Sequence, residues 1–286
     1  MIATPNAPTP YDGKNWGTLV TPEQVRRHRM MPEATRSHQP VAHYEPIEYV
    51  QDTLSRLGFV LSEPTIYLTN DDYRSNMYAG WGISHRSLPD TRGFQWEAFL
   101  LNSHNKKHSL QLGAGHRTFI CGNGIVSAPL GIYRAKHTTH VNSVDPKTGL
   151  PRWKSRLLTM SNRILTECRR LHQTIESLKK VELDPSSEVH QMQVRAFALD
   201  SAHRGAINAA GALTVYKHWL KPEHDEFKQD NTVWRLMQAY TSQARGKSGF
   251  EAKDSMTRMF DMFSQEFGTL ALSNLKDPVA IPGGDI

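Results

Sequence analysis

Apolar residues recur every three or four positions from Tyr44 to Leu57, at Ile47, Val50, Leu54 and Leu57, and Gly58 follows them. That spacing lines one face of an α-helix and the glycine supplies a stop, so one amphipathic helix is expected there. The period then shortens. Phe59-Val60-Leu61, Thr65-Ile66-Tyr67-Leu68 and Met77-Tyr78-Ala79-Gly80-Trp81-Gly82-Ile83 are short runs rich in β-branched and aromatic residues, and Asn70-Asp71-Asp72 reads as a hairpin turn between the last two. Trp96 to Leu101 and Leu110-Gln111-Leu112 continue the strand pattern across a polar turn from Asn102 to His108. Gly113-Ala114-Gly115 reads as a turn signal, and Arg117 to Ile120 makes a further strand ahead of Cys121.

After Pro151 the helical period returns and stays. Leu157, Ile164, Cys168, Leu171, Ile175 and Leu178 fall on a near-heptad stripe, with Arg163, Arg169, Arg170, Lys179 and Lys180 largely off it. Asp184-Pro185 reads as an N-cap and first helical residue, opening a helix that carries Val189, Met192, Ala196 and Phe197. A run on to Trp219 and a break near Gly205 are both open. A third helix is expected from Asp230-Asn231, and a last one places Met256, Met259, Phe260, Phe263, Phe267 and Leu270 on one face, a pattern that helix packing alone demands. The expected class is α+β: a helix-backed antiparallel sheet over 41–150 in the N-terminal half, then a helical region over 151–286. Residues 1–40, rich in Pro, Thr, His and Arg, read as a flexible arm that buries too little apolar surface to order itself.

Composition narrows the classes of function. The 286 residues carry 34 Lys and Arg against 28 Asp and Glu, a net charge of +6 with 14 histidines uncounted. A basic excess favours polyanionic partners. No run approaches the 18 or so apolar residues of a membrane span, and Met1 to Pro10 has neither the basic nor the apolar region of a secretory signal. Two cysteines without a Cys-x-x-Cys motif fit a reducing cytoplasm. Walker and Rossmann glycine patterns are missing, which argues against a nucleotide-hydrolysing motor.

Chemistry-bearing residues concentrate between Asn102 and His137. His104, His108, His116, His137 and Cys121 stand there among Lys106, Lys107, Arg117, Arg134 and Lys136. Asn102-Ser103-His104-Asn105, Cys121-Gly122-Asn123-Gly124 and His137-Thr138, in that order, resemble the phage- and plasmid-borne family called domain of unknown function 932. Asn231-Thr232-x-Trp234 and Ala239-x-Thr241 are similar to its later helical motif, and Asn105 stands where the family has Asp. The resemblance spans roughly residues 41 to 245. It implies a phage or plasmid genome as the home of the sequence and brings no established activity.

The residues themselves support several readings. The first is a nucleic-acid-binding protein, single-stranded DNA foremost, as a binding or annealing factor in recombination or replication. Lys106, Lys107, Arg117, Arg134 and Lys136 would contact phosphates and Trp81 or Tyr133 would stack on bases. Asn102, His104, Cys121, Asn123 and His137 would shape the turns around them. A second is a protein-interaction or assembly role without nucleic acid, such as a host-defence inhibitor or a homo-oligomeric scaffold. Lesser alternatives are a zinc site drawn from His104, His116, Cys121, His137 and His140, whose spacing fits no knuckle or ribbon, and a thiol enzyme with Cys121 as nucleophile and His104 or His137 as base. The leading expectation is binding without chemistry, with no cofactor, no metal and no membrane partner.

Overall fold

A computed structural model describes residues 17–28, 30–89, 94–106, 108–118, 127–138, 140–222, 227–241 and 249–268; in 94, 117–118, 127–135, 249–254 and 256–257 the description is of the backbone. The chain divides into two compact units, Met1–His172 with Ala244–Thr257, and Gln173–Gln243 with Arg258–Ile286.

The first unit is built on one antiparallel sheet. Its strands are β1 (Thr18–Val20), β2 (Val60–Leu61), β3 (Thr65–Leu68), β4 (Asn76–Ser84), β5 (Phe94–Ser103), β6 (Leu110–Thr118) and β7 (Ser127–Ala135). The order is β1-β3-β4-β5-β6-β7, with β2 paired to the far end of β4. From β3 onward each strand lies beside its neighbour in sequence, which short hairpin turns dictate. Register sets the two faces. Met77, Ala79 and Trp81 on β4, Trp96, Ala98 and Leu100 on β5, and Leu112 and Ala114 on β6 alternate onto one side and are all buried.

Helices supply the matching apolar surface. They are α1 (Pro22–Arg27), α2 (Tyr44–Arg56) and α3 (Arg152–Leu178), the last crossing into the second unit at its end. In α2 the buried set includes Ile47, Val50 and Leu54, as the sequence spacing requires. Leu157, Ile164, Cys168 and Leu171 of α3 are fully or almost fully buried, so the expected stripe is core and Cys168 with it. The α2 and α3 helices touch where the Tyr49 ring meets Trp153 edge-on at 5.7 Å, and α3 reaches the sheet where His172 meets Trp96.

Three expectations for this unit need correction. Residues 17–28 and 30–40 are not a free arm: β1 adds to the sheet, α1 opens with a complete Thr21/Gln24 capping box, and His38, Val41 and Ala42 are buried. Composition missed this because the ordering comes from hydrogen bonds and two or three anchors rather than from clustered apolar residues. Gly113-Ala114-Gly115 is mid-strand, and Leu110 to Thr118 form one strand where two were expected. A Cβ on Gly113 would sit 2.4 Å from Cζ of Phe99 on β5, so the glycine makes room for a ring and marks no turn. Finally, β7 was not read from the sequence at all. It pairs with β6 through two one-residue register shifts, which break the even alternation on which a strand reading depends.

The second unit is helical: α4 (Glu188–His203), α5 (Ala209–Leu220), α6 (Val233–Thr241) and the end of α7 (Gly249–Glu266). Phe197, Tyr240, Phe263 and Phe267 meet around its centre with centroids 4.9 to 5.8 Å apart, edge to face except for the tilted Phe263–Phe267 pair. The Tyr240 hydroxyl and Ser201 Oγ are 2.7 Å apart, which satisfies a phenol buried in that cluster. The α4 helix begins at a Ser187 N-cap and not at Asp184, whose carboxylate instead accepts from the amide and hydroxyl of Ser186 to close a turn. It ends before Gly205, at φ +71°, and Asn208 caps α5 by accepting from the Gly211 amide at 2.7 Å, so the run from Ala202 to Trp219 is broken. Val194, Phe197, Ala198 and Ser201 form its buried face, whereas Val189 and Met192 are 65% and 69% exposed.

Candidate functional site

One end of the sheet gathers the loops that carry most of the polar signal. The β3–β4 turn, the β5–β6 turn and the exit of β7 all lie there, because β3 and β5 finish and β4 and β6 begin at the register pairs Leu68↔Met77, Asn76↔Ser103 and Leu110↔Ala135. Against them lies the segment 35–43, tied to the β7 exit by the Gln39 amide donating to the His137 carbonyl at 3.3 Å.

Four buried histidines join these pieces: His38, His43, His104 and His137. Asn102 donates from Nδ2 to the Val41 carbonyl at 2.8 Å and to Nδ1 of His43 at 2.9 Å. His43 must then carry its proton on Nε2, which donates to the Arg74 carbonyl at 2.9 Å. His104 Nε2 likewise donates to the Val41 carbonyl at 2.9 Å, and His38 Nε2 to the His104 carbonyl at 3.1 Å. The rings of His43 and His104 stack at 3.9 Å with planes 6° apart. Those of His38 and His137 lie 5.5 Å apart. Four polar atoms in the cluster, Asn102 Oδ1, His104 Nδ1 and both ring nitrogens of His137, have no hydrogen-bond partner among the described residues.

Burial favours the neutral form of three of these imidazoles, His43, His104 and His137. It holds His43 well below its ordinary value, with the neighbouring His104 adding to the effect and the Arg74 carbonyl opposing it. Burial also lowers His104 against the opposing pull of the Val41 carbonyl. It takes His137 from 6.5 to about 4, helped by His38 and His104 and opposed by the Gln39 backbone. A neutral ring offers one donor and one acceptor; His43 uses both, and His38 and His104 each use Nε2, to cross-link 38–43, the β3–β4 turn and the end of β5.

Above the cluster the rim is basic and partly aromatic. Lys106 is exposed, with φ +65° in the β5–β6 turn, and its Nζ donates to Thr35 Oγ1 at 3.4 Å. Arg36 and Lys136 are exposed on the segments beside it, and Arg74, at φ +45°, is partly exposed on the β3–β4 turn. Among the described residues none of these four pairs with a carboxylate. Tyr73 is 47% exposed beside Arg74, its carbonyl 3.2 Å from His28 Nε2. Glu33 and Asp72 are exposed on the same loops. Asp71 is spent inside its turn: burial alone would raise its carboxyl, but hydrogen bonds from Thr69 Oγ1, Ser75 Oγ and the Ser75 amide outweigh that and hold it below the ordinary range.

The residues singled out from the sequence fare unequally. Lys106 and Lys136 come together at this end. The backbone of Arg134 pairs with Gln111 one step into the sheet, and Tyr133 with Leu112. Arg117 sits seven residues along β6 from Leu110, roughly 24 Å away at about 3.4 Å per residue, so it does not share the rim. Trp81 is wholly buried on the core face and offers no ring for stacking, which corrects that role. Asn102 is a strand residue whose amide reaches 61 positions back to Val41, so it shapes a tertiary tie and not its own turn. His104 and His137 act in the same cross-linked cluster. Lys107, Cys121 and Asn123 lie outside the described residues.

The metal and thiol alternatives find no constellation. Among the described residues no group of three or more His, Cys, Asp or Glu side chains is placed to hold a metal ion. His116 is buried in mid-sheet opposite Trp96, about 20 Å along β6 from the cluster at the usual strand rise, and His140 is exposed. The thiol of Cys168 is pushed up by burial, which suits a core residue. The rim residues that sequence reasoning missed, Arg36, Tyr73 and Arg74, and the buried His38 and His43, stand in segments read as an arm, a turn and a helix start. The run of histidines at 38 and 43 flanking Val41-Ala42 was the available signal.

Comparison with known proteins finds no matching family model, no matching curated protein and no matching solved structure. Among the described residues no helix is long and apolar enough to cross a membrane.

Proposed function

We propose that this chain binds nucleic acid, single-stranded DNA foremost, at the sheet end that carries Arg36, Arg74, Lys106, Lys136 and Tyr73. The observation that carries the reading is that four separate stretches bring cationic residues, none paired with a carboxylate among the described residues, to one end of the sheet, where Tyr73 is half-exposed. Each phosphate neutralised by such a side chain releases a condensed counterion, and a tyrosine face stacks on any base. The histidine cluster contributes by holding the loops in place without adding charge. The likeness of the Asn-Ser-His, Cys-Gly-Asn-Gly and His-Thr stretches to domain of unknown function 932 suits a phage- or plasmid-borne factor in recombination or replication, acting in the cytoplasm of a bacterial host.

Fluorescence anisotropy with a labelled oligothymidylate over a range of KCl concentrations tests this. Four phosphate contacts on a single strand give a slope of log K against log salt near −3, about 0.7 per contact. Lys106→Glu with Lys136→Glu should cut affinity at least about tenfold and flatten the slope by about two contacts' worth. Asp72→Asn should tighten binding. No affinity, affinity indifferent to salt, or a double variant that binds like the parent would overturn the reading.

A further inference from the structure

The α4 helix is apolar on two opposite sides. Val194, Phe197, Ala198 and Ser201 face the second unit's own core. On the other side Val189, Met192, Ala196, Leu199 and His203 are spaced three, four, three and four residues apart, and all five are exposed, Val189 to 65%, Met192 to 69% and Leu199 to 65%. Leu213, 58% exposed on α5, belongs to the helix packed beside it. A surface helix ordinarily has one apolar face, and a helix apolar all round is one that is covered all round. The 3-4-3-4 spacing is that of a coiled-coil seam, with Val189, Ala196 and His203 at the a positions and Met192 and Leu199 at the d positions.

The residues beside the seam indicate what covers it. Glu188 and Arg195 stand at the g positions, Gln193 and Asp200 at the e positions. In a parallel pair of such helices each g side chain faces the e side chain five residues on in the other helix, which sets Arg195 against Asp200 of the partner subunit and Glu188 against Gln193 of the partner subunit. An antiparallel pairing centred on the same stripe sets Arg195 against Arg195 of the partner subunit. The Arg195 guanidinium already lies at that edge, 4.6 Å above the Tyr216 ring of α5. Asp200 has only an exposed ion pair to its own Arg204 at 3.5 Å, which costs little to exchange.

We propose that the Val189, Met192, Ala196 and Leu199 face of α4 is a homodimer surface, seated in parallel against the same face of a second copy with Arg195 facing Asp200 of the partner subunit. Leu213 flanks the Arg195 edge and widens the apolar strip, making a four-helix contact from α4 and α5 of each protomer. Two heptads bury a modest area, so the dimer is concentration-dependent. This surface is independent of the nucleic-acid reading.

Sedimentation velocity on the full chain between about 1 and 200 µM tests the proposal. The expected mass rises from 32.4 kDa towards about 65 kDa across that range. Leu199→Glu and Met192→Glu should hold the chain at the monomer mass, with an unchanged melting temperature because both sites are exposed. Arg195→Asp should weaken association about tenfold, and adding Asp200→Arg should restore it, since the swap rebuilds the pair in opposite sense. A chain that stays monomeric at the highest concentration, or a dimer indifferent to Leu199→Glu, overturns the surface. A dimer that Leu199→Glu abolishes but that the charge swap fails to restore overturns the parallel register.

Discussion

Acidification should unfold the first unit through its histidines, and His137 fixes the scale. Its folded-state affinity for a proton corresponds to about 4, against 6.5 for an ordinary imidazole. The unfolded chain therefore binds this proton more tightly, and stability is full above pH 6.5 and falls as pH drops towards 4. Each tenfold difference in proton affinity is worth about 1.4 kcal/mol, so this one residue removes about 2 kcal/mol between pH 7 and pH 5 and about 3 kcal/mol by pH 4. His43 and His104 are shifted in the same direction and steepen the loss. Against a total stability of about 5–15 kcal/mol, the unit should lose much of its margin at pH 5 with its carboxylates still mostly ionised. Urea unfolding followed by circular dichroism at pH 7.5, 6 and 5 measures the loss. The imidazole proton resonances locate it, and His137→Asn should reduce the slope by close to one proton. A urea midpoint that is flat from pH 7 to pH 5, or a His137 resonance that titrates near 6.5, would refute the burial of the cluster.

Other perturbations test separate parts of the fold. Asn102→Ala removes the donor shared by Val41 and His43 and should cost about 1–3 kcal/mol, with faster amide exchange of the β5–β6 turn as the local readout. Gly113→Ala drives a methyl group into the Phe99 ring and should cost about 1–3 kcal/mol, and Phe99→Leu in the same chain should recover part of it, as paired melting curves would show. Arg235, almost fully buried, donates to the carbonyls of Trp219, Leu220 and Lys228 and so caps α5. Arg235→Met leaves those carbonyls unpaired and should cost about 2–4 kcal/mol, read by thermal unfolding, whereas Arg169→Met at the exposed Ser87 contact should change little.

Periodicity made the helices and the inner strands legible. Tyr44 to Leu57 anticipated α2, Thr65–Leu68 matched β3 residue for residue, and the stripe from Leu157 to Leu178 proved to be buried along its whole length. Elements whose stability comes from elsewhere were not legible. Segment 35–43 is held by histidine and asparagine hydrogen bonds to residues more than 30 positions away, and no local pattern encodes them. The β7 strand was hidden by bulges, and Gly113 was misread because its role is to admit a ring from the next strand. On α4 two apolar stripes overlap, and the sequence reading mixed exposed Val189, Met192 and Ala196 with buried Phe197 because spacing alone carries no sign for inside and outside. The site shows the same division. Basic and histidine-rich stretches were visible as composition, but which of them converge depends on register: Lys106 and Lys136 meet because Leu110 pairs with Ala135, and Arg117 is excluded by that same pairing.

The chemistry of imidazole explains why such a rim stands on histidines. Loops that carry four cations must be tied down by polar groups, since the carbonyls of Val41, Arg74 and His104 need donors where water is excluded. Carboxylates would fix the loops but cancel the positive field that attracts phosphate, and further lysine or arginine would place an unpaired charge in the interior at a cost of several kcal/mol. An amide such as Asn102 bridges two partners on the neighbouring segment, the Val41 carbonyl and the His43 ring. A neutral imidazole is rigid and reaches across the gap, as His43 does in donating from one nitrogen, accepting at the other and stacking on His104 at 3.9 Å. The arrangement holds a basic surface in place without diluting its charge, provided the rings stay unprotonated. The acid sensitivity expected of the cluster and the anion affinity proposed for the rim therefore rest on one set of contacts.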